Sequence, residues 1–167
     1  TGVDKLVRMA LGALHGLQYL ADLGIMHGFL AARNCLMAFD DLQRPTLKLG
    51  DYGVSREYTR RSSRPHVFEW VRWQAPEVMA VDFVPDPSAD VYSYGVLLWE
   101  ITALGETPYS GLSAVEAAGA IYRGSVLQVP STAPEPLLQV IQWCWQRCAR
   151  DRPVYPQLLD RLHSTLG

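Results

Sequence analysis

A mainly α-helical domain with one small β-hairpin and one long basic loop is the fold class the sequence predicts. Three observations carry it. Leu6, Met9, Ala10, Ala13, Leu14, Leu17 and Leu20 recur at threes and fours, the spacing of one face of a helix. Two short strand-like runs flank a polar turn. Helix-start signals then repeat through the second half of the chain. The size agrees: 167 residues fit one domain, at most two small ones. A chain that is 49% hydrophobic and 19% charged is not a disordered tail, and at this length it buries roughly two-thirds of its unfolded surface.

Taken in order, Asp4 to Leu23 reads as the first helix, with Gly24 at the stop position. Ile25 to Asn34 has no sustained period. Cys35 to Phe39 and Thr46 to Leu49 read as strands, and Asp40 to Pro45 as the turn between them. Asp51 to Trp73 reads as a long loop rich in Arg and Ser, a length that marks functional or disordered segments. Ser88 follows Pro87 and precedes an apolar run to Leu104. Ser113 with Glu116, and Thr132 with Glu135, have capping-box spacing. Pro153 sits near the start of a last helix ending around Leu166.

Charge and composition exclude several classes. A net charge of -2 and a pI near 6.0 argue against a domain built to coat nucleic-acid phosphates. Three unevenly spaced cysteines make no disulfide framework, so a reducing compartment is expected. No run of about 20 apolar residues is present to span a membrane; the longest candidate, Val91 to Leu98, carries Tyr92, Ser93 and Tyr94. There is no basic-then-apolar leader, and the chain opens on Thr1, so a piece of a longer protein is expected.

The motifs go further. His27-Gly28-Phe29-Leu30-Ala31-Ala32-Arg33-Asn34-Cys35-Leu36 resembles the tyrosine kinase catalytic loop, H-R-D-L-A-A-R-N-C-L. Asp51-Tyr52-Gly53 falls where that family has D-F-G, and Ala75-Pro76-Glu77 matches A-P-E. The run from Asp90 to Glu100 is similar to D-V-W-S-F-G-V-L-L-W-E. Gly105 to Tyr109, and Cys144 through Pro153, fit the C-terminal helices. The Ala-Ala-Arg order is that of receptor-type tyrosine kinases, and Gly50 to Gly53 is also similar to the lemur tyrosine kinase branch. The match runs in order over nearly the whole chain.

The resemblance implies a kinase-like C-terminal lobe over residues 1–167, the helical part of a two-lobed α+β fold. The family's N-terminal lobe carries a Gly-rich loop, a strand Lys and a helix Glu. None of the 13 glycines here stands in a G-x-G pattern, and the only lysines are Lys5 and Lys48. An N-terminal lobe is therefore an expected partner. The face that would meet it, around Tyr52, Leu36 and the first helix, is expected to be apolar and exposed.

By resemblance, Asn34 and Asp51 take the two magnesium-ligand positions, both offering the hard oxygens that ion prefers; Asn34 alone also reads as a turn-stabilising amide. Leu36 is where the family packs a side chain under adenine. ATP and magnesium are the cofactors implied. Phe29 stands where the family has the Asp that accepts the substrate hydroxyl's proton, in a loop whose Arg33 and Asn34 are kept. A phenyl ring has no lone pair for that task, and loss of a positioned base costs roughly 10²–10⁴ in rate. Gly28 replaces an Arg that pairs with a phosphorylated loop residue, removing one charge-assisted partner.

Scaffold positions are kept. Glu77 and Arg152 match a buried ion pair, and breaking such a pair costs about 3–5 kcal/mol. Asp90 matches an acid that hydrogen-bonds the catalytic-loop backbone; the alternative is a solvent-facing acid at a helix N-terminus. His27 and Tyr52 fit two positions that stack against the Asp90 helix. In the long loop Tyr58, the only tyrosine after the Asp51-Tyr52-Gly53 triplet, sits among Arg56, Arg60, Arg61 and Arg64. It reads as a phosphoacceptor held by arginines or as part of a solvated basic face. Val71-Arg72-Trp73 matches the segment that receives a peptide, but Trp70 replaces the family's Pro before it. Cys144 and Cys148 lie one helical turn apart with His163 further on. Core packing is expected over a zinc site, and Trp99, Trp143 and Trp145 read as core.

The functional expectation is a tyrosine-kinase-like pseudokinase that works by binding partners or switching conformation. Two rivals stand beside it: a weakly active tyrosine kinase once joined to an N-terminal lobe, and an interaction domain that has lost nucleotide. Protein partners or a tyrosine-containing protein substrate are expected, with no nucleic acid. The implied location is cytoplasmic, free or as the intracellular part of a membrane receptor.

Overall fold

A computed structural model describes residues 2–52 and 70–166. Tyr58 and its arginines Arg56, Arg60, Arg61 and Arg64 lie outside the described residues. The chain forms α1 (Gly2–Asp22), β1 (Cys35–Phe39), β2 (Pro45–Leu49), α2 (Pro87–Thr102), α3 (Ala114–Tyr122), α4 (Glu135–Cys144) and α5 (Tyr155–Leu166). Short 3₁₀ turns cover Ala32–Asn34, Val71–Trp73, Pro76–Met79 and Ala149–Asp151. This is the mainly helical lobe with one hairpin that the sequence predicts.

The apolar stripe of α1 is buried through Val7, Ala10, Leu11, Ala13, Leu14, Leu17 and Leu20, while Leu6 and Met9 are only partly covered. The helix stops as expected at Gly24, whose φ of 67° is open to glycine without a Cβ penalty. Ile25 N donates to Leu20 O at 2.8 Å and Gly24 N to Ala21 O at 2.9 Å, which satisfies two of the last carbonyls in a Schellman arrangement.

The hairpin is antiparallel, with Cys35 opposite Leu49 and Phe39 opposite Pro45, so β2 begins one residue earlier than expected. Its turn is built by Asp40. That carboxylate accepts from Leu42 N and Arg44 N, each at 2.9 Å, and from Arg44 Nε at 2.6 Å. Strand β2 lies directly on α1. A Cβ at Gly12 would meet Leu47 N and O at 2.7 Å and collide with Thr46 Oγ1.

Helix α2 is the axle of the lobe. Every residue from Ala89 to Glu100 is buried, the pattern of a helix packed on all sides. Its N-cap is Asp86, not Ser88: the Asp86 carboxylate accepts from Ser88 N at 2.9 Å, and Pro87 takes the first helical position, where its missing N–H costs nothing. Tyr94, wholly buried, donates its hydroxyl to Ala10 O at 2.9 Å and so joins α2 to α1.

Of the two capping boxes, only Ser113–Glu116 forms, with Glu116 Oε2 accepting from Ser113 N at 2.8 Å. The Thr132–Glu135 box does not. Pro134 precedes the helix in an extended conformation, so Glu135 is the first helical residue rather than the third. Its carboxylate instead accepts from Gln139 Nε2 at 2.8 Å. The last helix starts at Tyr155, two residues past Pro153. Trp99, Trp145 and Cys144 are buried and Trp143 partly so, but Cys148 lies beyond the end of α4 and is exposed. The two thiols thus do not share a helical turn, and Cys148 is not core. Among the described residues no helix is long and apolar enough to cross a membrane.

Candidate functional site

The loop from Ile25 to Asn34 is suspended from α2 by two carboxylates. Asp90, in the first turn, is 3% exposed. Its Oδ2 accepts from His27 N at 2.6 Å and its Oδ1 from Gly28 N at 2.9 Å. Of its two readings, the buried one is therefore seen. Burial pushes its carboxyl up to about 6, against the pull of those two N–H donors. Near the other end of the helix, Glu100 Oε2 accepts from Ala32 N at 2.8 Å. Burial raises this carboxyl too, with the Ala32 N–H and the Arg33 charge opposing. The sequence shows Glu100 only as the polar end of an apolar run; its partner is 68 residues away.

His27 is fully buried. Its Nε2 lies 3.1 Å from Gly50 O, and its Nδ1 accepts from Phe29 N at 3.3 Å. One ring nitrogen donating and the other accepting describes a neutral imidazole, and burial lowers its affinity for a proton. Gly28 has a φ of 76° and its carbonyl accepts from Gln74 Nε2 at 2.9 Å. Gln74, which the motifs do not single out, thereby fixes the loop from the far side.

Asn34 is buried. Its Nδ2 donates to Phe29 O at 2.6 Å, and its backbone carbonyl accepts from Gly50 N at 2.7 Å. The second bond brings Asp51, the next residue, alongside Asn34. Asp51 is exposed with a φ of 55°, a conformation that Asp tolerates better than most side chains. With its nitrogen engaged, Asn34 keeps its amide oxygen as an acceptor, as a hard cation would require. Among the described residues no carboxylate bonds Asn34.

Phe29 occupies the place read as that of the base. Its ring meets Trp70 edge-on, 5.1 Å between centroids at 70°, a favourable aromatic geometry. Arg33 belongs to the same cluster: its guanidinium lies 4.0 Å from the centroid of Trp70 and 4.2 Å from that of Trp73, within cation–π range. Arg72 does not face outward for a ligand. It donates to Pro108 O at 3.2 Å, Tyr109 O at 2.6 Å and Leu112 O at 2.6 Å, bracing the turn before α3.

Arg152 and Glu77 form a two-pronged pair, Nη1 to Oε1 at 2.5 Å and Nη2 to Oε2 at 2.9 Å. The Arg152 side chain is wholly buried, Glu77 30% exposed. Arg152 also donates to Gln146 O at 2.9 Å and Ser88 O at 3.0 Å. Tyr52 departs from expectation. It is 56% exposed rather than stacked on α2; only His27 of that pair packs, and a phenol hydroxyl is more easily satisfied by water than within an apolar helix face. Leu36 is 67% exposed, in line with a face awaiting cover.

Comparison with known proteins agrees with the motifs. A family model described as protein tyrosine and serine/threonine kinase matches residues 1–162. The chain is 36% identical over 169 residues to the mouse insulin receptor-related protein and to the Xenopus laevis insulin receptor, covering 98% of this chain and 12% of each relative. It is 35% identical over 169 residues to the bovine insulin-like growth factor 1 receptor, covering 98% of this chain and 25% of that protein. The chain thus spans a small part of the curated relatives it matches.

Proposed function

The chain belongs to the protein tyrosine and serine/threonine kinase family, and from that premise we propose that it is a tyrosine-kinase-like signalling module silenced at its base position, a pseudokinase acting through protein partners. One observation carries the proposal. Phe29 stands at the base position and is packed edge-on against Trp70, with the Arg33 guanidinium over Trp70 and Trp73. The cluster replaces a proton acceptor with an apolar ring, and Arg33 faces indoles there instead of a carboxylate on residue 29. Around it the scaffold is intact: Asp90 and Glu100 hold the loop, and Glu77 with Arg152 holds the end of the following segment.

Asn34 and Asp51 would suit a magnesium ion carried with ATP: the Asn34 amide oxygen is left as an acceptor, and Asp51 is an exposed residue that follows Gly50, whose N–H bonds the Asn34 carbonyl. The metal would supply charge neutralisation at those phosphates. This chain's residues would orient it and, at Leu36, cover adenine. In this reading Tyr58 is a phosphoacceptor, the module lies in the cytoplasm as part of a longer receptor-like chain, and an N-terminal lobe sits on the hairpin face.

The retained Asn34 and Asp51 favour one rival, a weakly active kinase, because electrostatic positioning does much of the work in phosphoryl transfer. Phosphate transfer to a tyrosine peptide, measured for the full-length protein and its Phe29→Asp variant, separates the two. The expected result is no transfer by the parent and a gain in the variant toward the roughly 10²–10⁴-fold that a base contributes. Strong transfer by the parent with little gain would overturn the proposal. A melting temperature unmoved by ATP and magnesium would favour an interaction domain without nucleotide.

A further inference from the structure

The chain has four histidines. His27 is spent inside the loop and His66 is outside the described residues. The remaining two, His15 and His163, are far apart in sequence yet meet in space. Their rings lie 5.7 Å apart between centroids and are tilted by 44°. His15 is in the interior of α1 and His163 in the last turn of α5. Each follows a fully buried leucine, Leu14 and Leu162, so both backbones are set by the core seam between the two helices. Both side chains are exposed, and among the described residues neither makes a hydrogen bond or an ion pair. Their ring nitrogens are thus uncommitted, on a rigid two-helix base.

We propose that His15 and His163 form a two-imidazole site for a borderline divalent transition ion, zinc first, which ties the last helix to the first. The geometry fits. Zinc binds imidazole nitrogen at about 2.0–2.1 Å with tetrahedral preference, which places the centroids of two rings sharing one ion about 5 Å apart. The observed 5.7 Å is reached from there by small rotations of two surface side chains. Neutral imidazole suits zinc, copper and nickel, whereas magnesium and calcium require oxygen. Among the described residues no third His, Cys, Asp or Glu joins the pair, so water completes the coordination and the site binds more weakly than a closed structural one. Nothing here depends on the reading of the nucleotide site.

The test uses the protein with Cys148→Ser, since that exposed thiol would itself take zinc. Zinc chloride is titrated calorimetrically at pH 7.5, and melting is followed with and without it. One zinc per chain is expected, with the melting temperature raised by about 5 °C or more at a hundredfold excess over Kd, and magnesium chloride without effect. His15→Asn and His163→Asn alone should each abolish binding as fully as both together, because a chelate fails when either ligand is lost. Both positions are exposed, so the variants should melt as the parent does without metal. No zinc binding by the parent, binding unchanged in either variant, or each variant losing only half of the bound zinc would overturn the proposal.

Discussion

The two altered residues of the His27-Gly28-Phe29 triplet act in opposite senses. Gly28 has a left-handed φ of 76°, which a side chain enters at a cost of roughly 1–2 kcal/mol. Glycine there removes a cation and also relieves strain. Phe29 removes a proton acceptor and adds packing against Trp70. Between them Asp90 remains a carboxylate buried for its two N–H partners, and its titration can be followed. Its folded carboxyl titrates at about 6, above the ordinary 3.8. The folded state therefore binds this proton more tightly than the unfolded chain does. The associated stability is full below the unfolded value and is lost as pH rises through about 6, on the order of 2–3 kcal/mol. His27 runs the other way: its lowered folded pKa favours folding above the ordinary 6.5 and loses that contribution as pH falls. A comparison of Asp90→Asn with the parent isolates the Asp90 contribution. Urea denaturation between pH 4 and 7 should show the gap between them narrowing as pH rises, since only the parent loses stability from this group. A constant gap would mean that Asp90 titrates normally.

At the level of elements, the contact between α1 and β2 depends on two glycines one turn apart. A methyl group at Gly12 would press on the Leu47 backbone, which cannot move aside, whereas one at Gly16 meets the Leu49 side chain, Cδ1 and Cγ at 2.9 Å and Cβ at 3.6 Å, which is flexible. Each Gly→Ala change would gain about 1 kcal/mol of helix propensity, yet Gly12→Ala should lose about 1–3 kcal/mol net through overpacking. Gly16→Ala should stay within about 1 kcal/mol of the parent; urea midpoints compare the two. Neither glycine announces itself in the sequence, because both sit inside an unbroken apolar period. That period made α1 legible, whereas α2 was legible as an apolar run after its start signals and the hairpin as two short strand-like runs around a polar turn. Local signals misled where a proline intervened: Pro134 delays α4 and cancels the Thr132 cap, and Pro87 passes the cap from Ser88 to Asp86. The site was legible at His27, Asn34, Asp90, Glu77 and Arg152, where residue type and motif order coincide. It was not legible at Glu100, Gln74 and Arg72. They hold backbone carbonyls and amides 68, 46 and 37 residues away, and a backbone group leaves no mark on the sequence of its partner.

For the molecule as a whole, burial is lopsided. The core gathers around α2, while Leu36, Met37, Phe39 and Leu42 of the hairpin stand exposed with Tyr52. Exposed apolar side chains gathered on one hairpin mark an interface or an aggregation site. The chain by itself should bind a hydrophobic dye in its native state. Replacing Leu36 and Phe39 by Ser should cut that signal by half or more while leaving the melting temperature within a few degrees, since neither side chain is in the core. A native chain that binds no dye would show the hairpin face to be covered in solution. The contrast extends to the tyrosines. Tyr19, Tyr52 and Tyr122 lie open to any passing reagent, but the Tyr94 hydroxyl is sealed between α2 and the Ala10 carbonyl. No modifying enzyme or iodinating agent gains access to that side chain while the lobe is closed. A chemical mark found on Tyr94 would therefore record a past moment when the polypeptide had come apart, and its accumulation would serve as a clock for such excursions.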